Sequence, residues 1–499
     1  MAAESTIAGR AGGGPADEAA GGGGPAHRSL GMIVVMTGVL ITAVDTTIVV
    51  LALPAIEREL HVALSSVIWV VIGYLLVITL LATQVGRLGD MFGRVRMYEA
   101  GFAVFVIGSV LCALAWNEGA IIGFRVVQAV GGAFVTANSG AVIADLYSPK
   151  ERGRAYGFNA LGWSMGAILG IVLGGAIVTY VSWRWIFWIN VPIGVAALAL
   201  ALRVLHDRGQ RVRRRLDPAG MLALGLGLFG VLWAMTKLAS SPLDATQIGY
   251  LAGGAVMLGL FVVIESRQRE PMLDLALFKI PTMTPSLLAS LFQGLASFAV
   301  LFLVIMYLQG PRGLTPIHAS LLLVPGYVLG SAVGPFAGRV ADRAGPVIPA
   351  TIGLGIQVIA LFIFAHLGIS SGLWLVVAGS VVNSIGASCF FPANSAAVMK
   401  ASPQAMLGIS SGVLRTFANI GMVFSFTTAI LIASHSISRG LAFAIFVGTT
   451  SLHGPLAAAF TTGLHAAFYT MMGFMAIAAI LSAVRGRAGT RPAAPPRPA

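Results

Sequence analysis

The sequence predicts an all-α polytopic membrane protein built from two parallel-related six-helix bundles and two inserted helices. Three observations predict this fold. Hydrophobic residues make up 57% of the 499-residue chain and charged residues only 10%, whereas ~25% is charged in soluble domains. The apolar residues form blocks of about twenty, the length of helix that crosses a bilayer. Motifs from the first part of the chain also recur, in the same order, in the second.

Fourteen apolar blocks are long enough to be transmembrane helices. They span residues 30–54, 65–85, 97–116, 119–142, 156–180, 185–204, 218–238, 247–265, 284–308, 317–338, 347–368, 372–398, 409–433 and 460–484. The mildly apolar stretch 440–454 is interpreted as an outer loop, with a re-entrant segment as the alternative. An even number of crossings places both termini on one side of the membrane.

The distribution of basic residues predicts which side this is. With both termini inside, only five of the 31 Lys and Arg residues fall in outer loops, namely Arg58, Arg184, Lys237, Arg312 and Arg439. Arg125 lies within a block, and the other basic residues lie in cytoplasmic segments. Lys and Arg accumulate in the cytoplasmic loops of membrane proteins. We therefore predict a multi-pass protein of the cell membrane with both termini in the cytoplasm.

An internal repeat divides the chain. The motif ANSGAV at 137–142 recurs as ANSAAV at 393–398, and GRLGDMFG at 86–93 recurs as GRVADRAG at 338–345. Blocks one to six therefore correspond to blocks nine to fourteen, and blocks seven and eight are an insertion. Parallel repeats of this kind are an architecture of secondary transporters, in which the substrate site lies between the halves near the midplane.

The repeat gives the predicted domain organisation. The divisions are a disordered cytoplasmic tail at 1–28, a first bundle at 29–206, two inserted helices with their loops at 207–280, a second bundle at 281–485 and a second disordered tail at 486–499. The first tail is rich in Gly and Ala and lacks the apolar core of a signal peptide.

Charge inside a membrane is costly, so each instance needs a reason. Asp45 is the only acid well inside a block, and Arg125 lies within block four. From the rise of 1.5 Å per residue, they lie ~15 Å and ~9 Å from the outer ends of their helices. An ion pair is therefore possible. Thr42 and Gln128 lie on the same helix faces as these charges and are candidates for the lining of the substrate cavity. The pair either exchanges protons, because burial and a nearby cation act oppositely on a carboxylate, or is a permanent salt bridge that orders the bundle.

Other candidates are less specific. Asp90 and Arg94, in the loop after block two, could form a conformational latch or simply be solvated. Arg415 either snorkels to the interface or faces a cavity. Possible substrate-cavity companions in the second half are Gln293, Tyr307, Tyr327, Asn394, Phe417 and Asn419.

Block five carries glycines every four residues, which form a smooth groove for close helix packing or for sliding between states. These are Gly162, Gly166, Gly170 and Gly174.

Several classes of function are disfavoured. The sequence has no phosphate-binding loop for ATP and no cluster with metal-ligand spacing, and GLGLFG at 225–230 lies inside an apolar block, so it is not a dinucleotide site. We expect no cofactor other than a proton gradient, no metal and no nucleic acid. A membrane-embedded enzyme would need a deep catalytic set, and a channel does not fit the repeat.

The motifs resemble the major facilitator superfamily, specifically its fourteen-helix drug:proton antiporter branch. GRLGDMFGR at 86–94 resembles the loop signature of the superfamily. AVDTTIVVLALPAI at 43–56, RVVQAVGG at 125–132 and GWSMGAILGIVLGG at 162–175 resemble signatures of the first, fourth and fifth helices of that branch. The resemblance implies functional charges at Asp45 and Arg125.

The same resemblance implies a latch formed by Gly86, Asp90, Gly93 and Arg94, with Asp342 as the counterpart of Asp90 in the second half. Two residues depart from the pattern. Ile171 occupies the place of a proline in the fifth-helix motif, and Met91 replaces a basic residue of the loop signature.

The resemblance therefore implies a multidrug efflux function. We expect a proton-coupled exporter of amphipathic drugs or secondary metabolites that works by alternating access and acts as a monomer. The alternative is an importer or exporter of one small metabolite, with different or no proton coupling. Blocks nine to fourteen contain no acid, so a neutral, zwitterionic or anionic substrate is as compatible as a cation.

Overall fold

A computed structural model describes residues 25–61, 64–147, 151–207, 216–268, 271–402, 407–433 and 455–488. Across these ranges the chain is almost entirely helical. Most of the two predicted tails and the stretch 440–454 lie outside the described residues. The first helix begins at Pro25 and the last continues to Ala488, so each helix includes a few residues of the segments predicted as tails.

Sixteen helices make up the described part of the chain. They are α1 (Pro25–Leu60), α2 (Leu64–Val67), α3 (Trp69–Phe92), α4 (Arg94–Ala113), α5 (Glu118–Leu146), α6 (Arg152–Tyr180), α7 (Trp185–Trp188), α8 (Asn190–Val204), α9 (Pro218–Ser240), α10 (Ala245–Arg267), α11 (Met283–Gln309), α12 (Pro316–Ala344), α13 (Val347–Ala365), α14 (Leu373–Ala401), α15 (Leu407–Ala433) and α16 (Pro455–Ala488).

The predicted number of crossings is confirmed. Fourteen described helices are long and apolar enough to span a bilayer, with α7 and α8 together forming the sixth span. The helix ends follow local sequence signals. Asn117 caps α5 by accepting a hydrogen bond from the N–H of Ala120 at 2.8 Å, and Asp244 forms a reciprocal capping box with Gln247 at the start of α10. Such caps satisfy N–H groups that have no partner within the helix.

Two glycines at equivalent places in the repeat share an unusual backbone conformation. Gly93 ends α3 with φ of +112° and Gly345 ends α12 with φ of +83°. Side chains with a Cβ rarely adopt positive φ, so glycine permits the abrupt change of direction between successive helices. The motif spacing read in the sequence is thus matched by a repeated turn geometry.

The glycine groove of α6 packs against α1 within the same bundle. Cβ atoms added to Gly162, Gly166 and Gly174 would meet backbone atoms of the α1 residues Met36, Leu40 and Ile48, which are spaced like the glycines themselves. Gly170 fits against Val44 in the same series. This packing holds in place the helix that carries Asp45. The groove therefore faces α1, whereas the adjacent Gly175 faces α12 of the other half.

The two halves contact each other through α6 with α12 and through α3 with α15. The first contact brings Gly175 against Pro316 and Ser320, at the ends of these helices predicted to be extracellular. The second lies near the predicted cytoplasmic face, where a Cβ added to Gly412 would be 3.9 Å from Oγ1 of Thr83. The α9–α10 hairpin packs beside them, with α9 against α3 and α15.

Candidate functional site

The candidate site is a buried ion pair inside the first bundle. Asp45 lies near the middle of α1 and is 0% exposed, and Arg125 lies on α5 and is 1% exposed. The Nη1 of Arg125 is 2.7 Å from the Oδ2 of Asp45. The helix packing that unites α1 and α5 therefore joins two charges that are 80 residues apart in the sequence.

Gln128 binds both members of this pair. Its Nε2 donates to Oδ1 of Asp45 at 2.8 Å and to Oγ of Ser109 at 2.9 Å. Its Oε1 accepts a hydrogen bond from Nη1 of Arg125 at 2.6 Å. Asn190 adds a weaker hydrogen bond of 3.3 Å to the same Oδ1. Both carboxylate oxygens thus have donors, as an ionised buried acid requires.

The guanidinium of Arg125 is held on its remaining sides as well. Its Nε donates to the carbonyl of Val70 on α3 at 2.9 Å. Its Cζ lies 4.0 Å from the centre of the Tyr74 ring and 5.6 Å from that of Phe187. Aromatic faces attract a cation when water is excluded. We call Asp45, Arg125, Gln128, Ser109, Asn190 and Tyr74 the buried charge network.

Sequence reasoning found three members of this network and missed the others. Asn190 was detectable, because it is the only polar side chain in the sixth block before Arg203. Ser109 and Tyr74 gave no comparable signal, because both residue types are common in apolar helices. Thr42, a predicted cavity residue one turn from Asp45, is buried and donates only to Gly38 and Val39 of its own helix.

The predicted latch forms a second cluster of charges at the end of α3. Arg94 donates to Oδ1 of Asp90 from Nη2 at 3.0 Å and to Oδ1 of Asp145 on α5 from Nη1 at 2.9 Å. Asp207, which the sequence analysis did not single out, accepts from the N–H of Val95 at 2.8 Å and so caps α4. Within the described residues, these contacts join parts of the first bundle to one another and to Asp207, the residue that directly follows it.

Glycines complete this cluster in different ways. Gly93 forms the turn between α3 and α4, and a Cβ there would collide with the carboxylate of Asp207. Gly86, by contrast, has no atom within 4 Å of the place where its Cβ would lie. Asp342 lies at the end of α12, but its side chain is outside the described part of the chain.

Replacing Asp90 by Asn should lower transport severalfold while leaving expression near normal. The Asp90 and Arg94 side chains are 34% and 33% exposed, so solvent screening limits the pair to about 1 kcal/mol. This corresponds to a factor of ~5 in the balance between two conformations. The measurement is substrate flux normalised to the amount of folded protein.

Arg96→Gln is the matched control for this latch variant. Arg96 is more exposed and approaches Asp207 only at 3.8 Å. It should leave flux unchanged. Equal flux in Asp90→Asn and Arg96→Gln would show that Asp90 belongs to a solvated connector.

The predicted cavity residues of the second half do not come together. Gln293 binds Ser297 at 2.8 Å and Gln357 at 3.3 Å, Tyr307 donates to the carbonyl of Gly368 at 2.8 Å, and Asn394 lies in another cluster. The remaining three lie elsewhere again: Tyr327 is partly buried on α12, Phe417 packs on Phe278, and Asn419 is partly buried on α15. Arg415 is exposed.

The cluster around Asn394 contains a buried arginine that sequence reasoning did not select. Nη1 of Arg485 on α16 donates to Oγ of Ser286 at 3.0 Å and to Oδ1 of Asn394, and Nη2 donates to Oγ of Ser482 at 3.1 Å. Asn394 also binds Ser290 at 2.8 Å. In the sequence, this arginine is the last residue of the predicted second bundle and directly follows its last apolar block.

Comparison with known proteins agrees with this architecture. The sequence matches the family model of the Major Facilitator Superfamily over residues 35–426. It is 29% identical over 394 residues to the tetracenomycin C resistance and export protein of Streptomyces glaucescens, covering 78% of this chain and 73% of that protein. It is 27% identical over 408 residues to the multidrug efflux pump LfrA of Mycolicibacterium smegmatis, covering 81% and 80%.

The fold is also found in a solved structure. An inward-facing, occupied bacterial homologue of the human lysosomal transporter Spinster superposes with a TM-score of 0.62 at 17% identity, covering 93% of this chain and 98% of that one. At this identity the likeness concerns the fold alone. The family model spans most of the sequence, and the helices have the same fold as the solved transporter structure. The chain therefore belongs to the major facilitator superfamily of membrane transporters.

Proposed function

We propose that this transporter is a proton-coupled exporter of amphipathic drugs or secondary metabolites. The observation that carries the proposal is Asp45, a fully buried carboxylate paired with a single arginine in a transporter bundle. A buried acid in a membrane marks an ion or proton path more often than it serves packing. The export proteins among the relatives support the outward direction.

In the proposed mechanism, one carboxylate alternates between two partners. Next to Arg125, Asp45 is stabilised as the anion, whereas burial without a cation favours the neutral acid. A movement that lengthens the Asp45–Arg125 contact would therefore load a proton, and a movement that restores it would expel the proton. Gln128 contacts both groups, so it can remain bound to one while the other moves.

Alternating access would open one side of the bundle at a time. Asp45 is closed off in this structure, in which the halves touch through Gly175 with Ser320 and through Thr83 with Gly412. Parting the first contact would admit protons from outside, and parting the second would release them inside while substrate moves outward. The sealed network between these contacts is consistent with such a cycle.

Flux in proteoliposomes tests the coupling. Three fluorescent probes that do not titrate, one cationic (ethidium), one neutral and one anionic, are offered outside vesicles with an acidic lumen. For an antiporter we expect at least one probe to accumulate in the lumen, because protons leave as it enters, and the accumulation should collapse with a protonophore. Protein-free vesicles are the control. Accumulation driven only by an acidic exterior, or indifferent to the pH gradient, would contradict the proposal.

The proposed orientation has its own test. In a variant with Cys112 and Cys389 replaced by alanine, single cysteines are placed at Gln210 and Leu243. Leu243 lies in the short connection between α9 and α10 and spares the capping residue Asp244. A membrane-impermeant maleimide should label position 243, but not position 210, on intact cells. Labelling of 210 from outside would overturn the fourteen-crossing orientation.

Transport of a single metabolite is the second candidate function. Residues 281–499 contain one acid, Asp342, so the second half offers little negative charge to recognise varied cations. A relative named for export of one compound fits this candidate as well. If structurally unrelated probes compete with one another for transport, the broad drug exporter is favoured, and if none competes, the single-metabolite transporter is favoured.

A further inference from the structure

A pair of buried carboxylates lies apart from the buried charge network, at the open end of the α9–α10 hairpin. Asp217 caps the start of α9 and is 1% exposed, and Glu265 lies in the last turn of α10 and is 2% exposed. The two residues lie at the face of the bundle predicted to be cytoplasmic.

Each carboxylate has one oxygen with donors and one without. Oδ1 of Asp217 accepts from the N–H of Gly220 at 2.8 Å and from Nε2 of Gln268 at 3.1 Å. Oε2 of Glu265 accepts from the N–H of Leu273 at 3.1 Å. Oδ2 of Asp217 and Oε1 of Glu265 are buried and have no hydrogen-bond partner.

The two oxygens without donors face the same point. A Cβ built on Gly220 would lie 2.3 Å from Oδ2 of Asp217 and 3.0 Å from Oε1 of Glu265, so these two oxygens are at most 5.3 Å apart. Two ionised carboxylates this close together, away from water, repel each other and leave two acceptors unsatisfied. A single proton between them removes one charge and supplies the one hydrogen bond that satisfies both oxygens.

We propose that Asp217 and Glu265 form a second proton-binding site, which holds one proton between Oδ2 and Oε1 and keeps the hairpin docked on α3. The docking contacts adjoin the pair. The N–H of Asp217 donates to Oε1 of Gln84 at 3.4 Å, and Nη2 of Arg87 donates to the carbonyl of Pro271 at 2.5 Å. Gln84 and Arg87 lie six and three residues before the latch residue Asp90 on the same helix.

The charged surroundings of the pair are few. Arg87 of α3 is the described cation that acts on Glu265. Among the other helices packed on α9, α2 has no titratable side chain, α10 adds the exposed Arg267 and α15 adds the exposed Arg415. The loop after α10 carries Asp274. Loss of the proton would therefore leave two like charges with one nearby cation, and Arg87 would be drawn from Pro271 towards them. A rise in pH at this face would thus loosen the hairpin from the latch segment.

The proposal is tested without any substrate, so its outcome is independent of the proposed transport function. In purified protein, infrared difference spectra between acidic and alkaline buffer report protonated carboxyl groups. We expect one protonated carboxyl at neutral pH that is absent in Glu265→Gln and in Asp217→Asn and present in Asp45→Asn. Asn also caps helices well, so Asp217→Asn should fold.

Thermal unfolding gives a second measurement. The native pair holds a proton that unfolded carboxyls release, so its stabilisation is lost as pH rises. We expect the wild-type Tm to fall by ~2–4 °C between acidic and alkaline buffer. The Tm of Glu265→Gln should not fall this way, because its amide donates permanently to Asp217.

Two results would overturn the shared proton. One is the same protonated carboxyl and the same pH dependence in Glu265→Gln as in the wild type. The other is a saturable rise of the wild-type Tm with MgCl₂ or NaCl at alkaline pH that Glu265→Gln lacks, since this would identify the pair as a cation site.

Discussion

Asp45→Asn is expected to abolish transport driven by a pH gradient, with a loss of at least about tenfold, or about 1.4 kcal/mol. Asn has the size of Asp and can still accept a hydrogen bond from Arg125, but it cannot take up or release a proton. Downhill exchange of substrate should persist if the substrate contacts lie elsewhere. The measurement is probe flux in proteoliposomes with and without an imposed pH gradient.

Arg125→Ala should fail in a different way. It removes the cation that favours ionised Asp45, so the buried carboxylate should retain its proton and proton release should stall. Raising the pH on the releasing side should then partly restore transport in Arg125→Ala. It should never restore transport in Asp45→Asn, because that side chain has no proton to release.

Thr46→Val is the matched control on the same helix. Thr46 is buried one residue from Asp45 and donates only to Thr42 of its own helix at 2.8 Å. It should keep its pH-driven flux. If Asp45→Asn still drives uphill transport, the single-carboxylate mechanism is wrong. If Asp45→Asn and Arg125→Ala both fail to fold while Thr46→Val folds, the pair is a structural salt bridge.

Gly166→Val should sharply lower the amount of folded protein. A Cβ at Gly166 would lie 2.5 Å from the carbonyl oxygen of Leu40 and 2.7 Å from Cβ of Ala43. Backbone atoms cannot rotate away, so α1 would have to shift from α6, and overpacking of this kind costs about 1–3 kcal/mol or more. Fluorescence-detected size exclusion and the Tm of the purified protein measure the effect.

Gly123→Val provides the matched control for this substitution. Gly123 is also a helix glycine of the first bundle, but it is exposed and has no atom within 4 Å of its Cβ position. Gly123→Val replaces a helix glycine by the same β-branched residue, but the new side chain meets no neighbouring atom at its Cβ. Yield and Tm should therefore stay close to the wild type. Equal losses in the two variants would show that β-branching in the helix, rather than contact with α1, causes the defect.

Most of the fold could be predicted from the sequence because a membrane imposes a simple rule on it. A helix in lipid must be apolar over about twenty residues, so the fourteen blocks identified the fourteen spans. The repeat GRLGDMFG and GRVADRAG identified the two halves, and its final glycines share the positive φ of Gly93 and Gly345. Helix ends were less predictable, since polar ends such as Pro25–Ser29 continue a helix beyond its apolar part.

The candidate site was predicted only in part. Asp45 and Arg125 stood out because charge is rare inside apolar blocks, and the structure places them in contact. The C-terminal candidates were chosen as polar residues in apolar helices, a criterion that does not separate cavity residues from paired core residues. Nε2 of Gln293 donates to Oε1 of Gln357, and Asn394 binds Arg485.

By itself, the sequence determined the fold class, the number of crossings, the internal repeat and the two charged residues whose burial in a bilayer is energetically unfavourable. These properties depend on local composition and on periodicity along one chain. Only the tertiary structure decided which polar groups lie together: Asn190 with Asp45, Asp145 with Arg94, and Asp217 with Glu265 beside Gly220. Such pairs join distant residues through helix packing, whose distances and angles depend on side-chain volumes throughout the bundle rather than on any short motif.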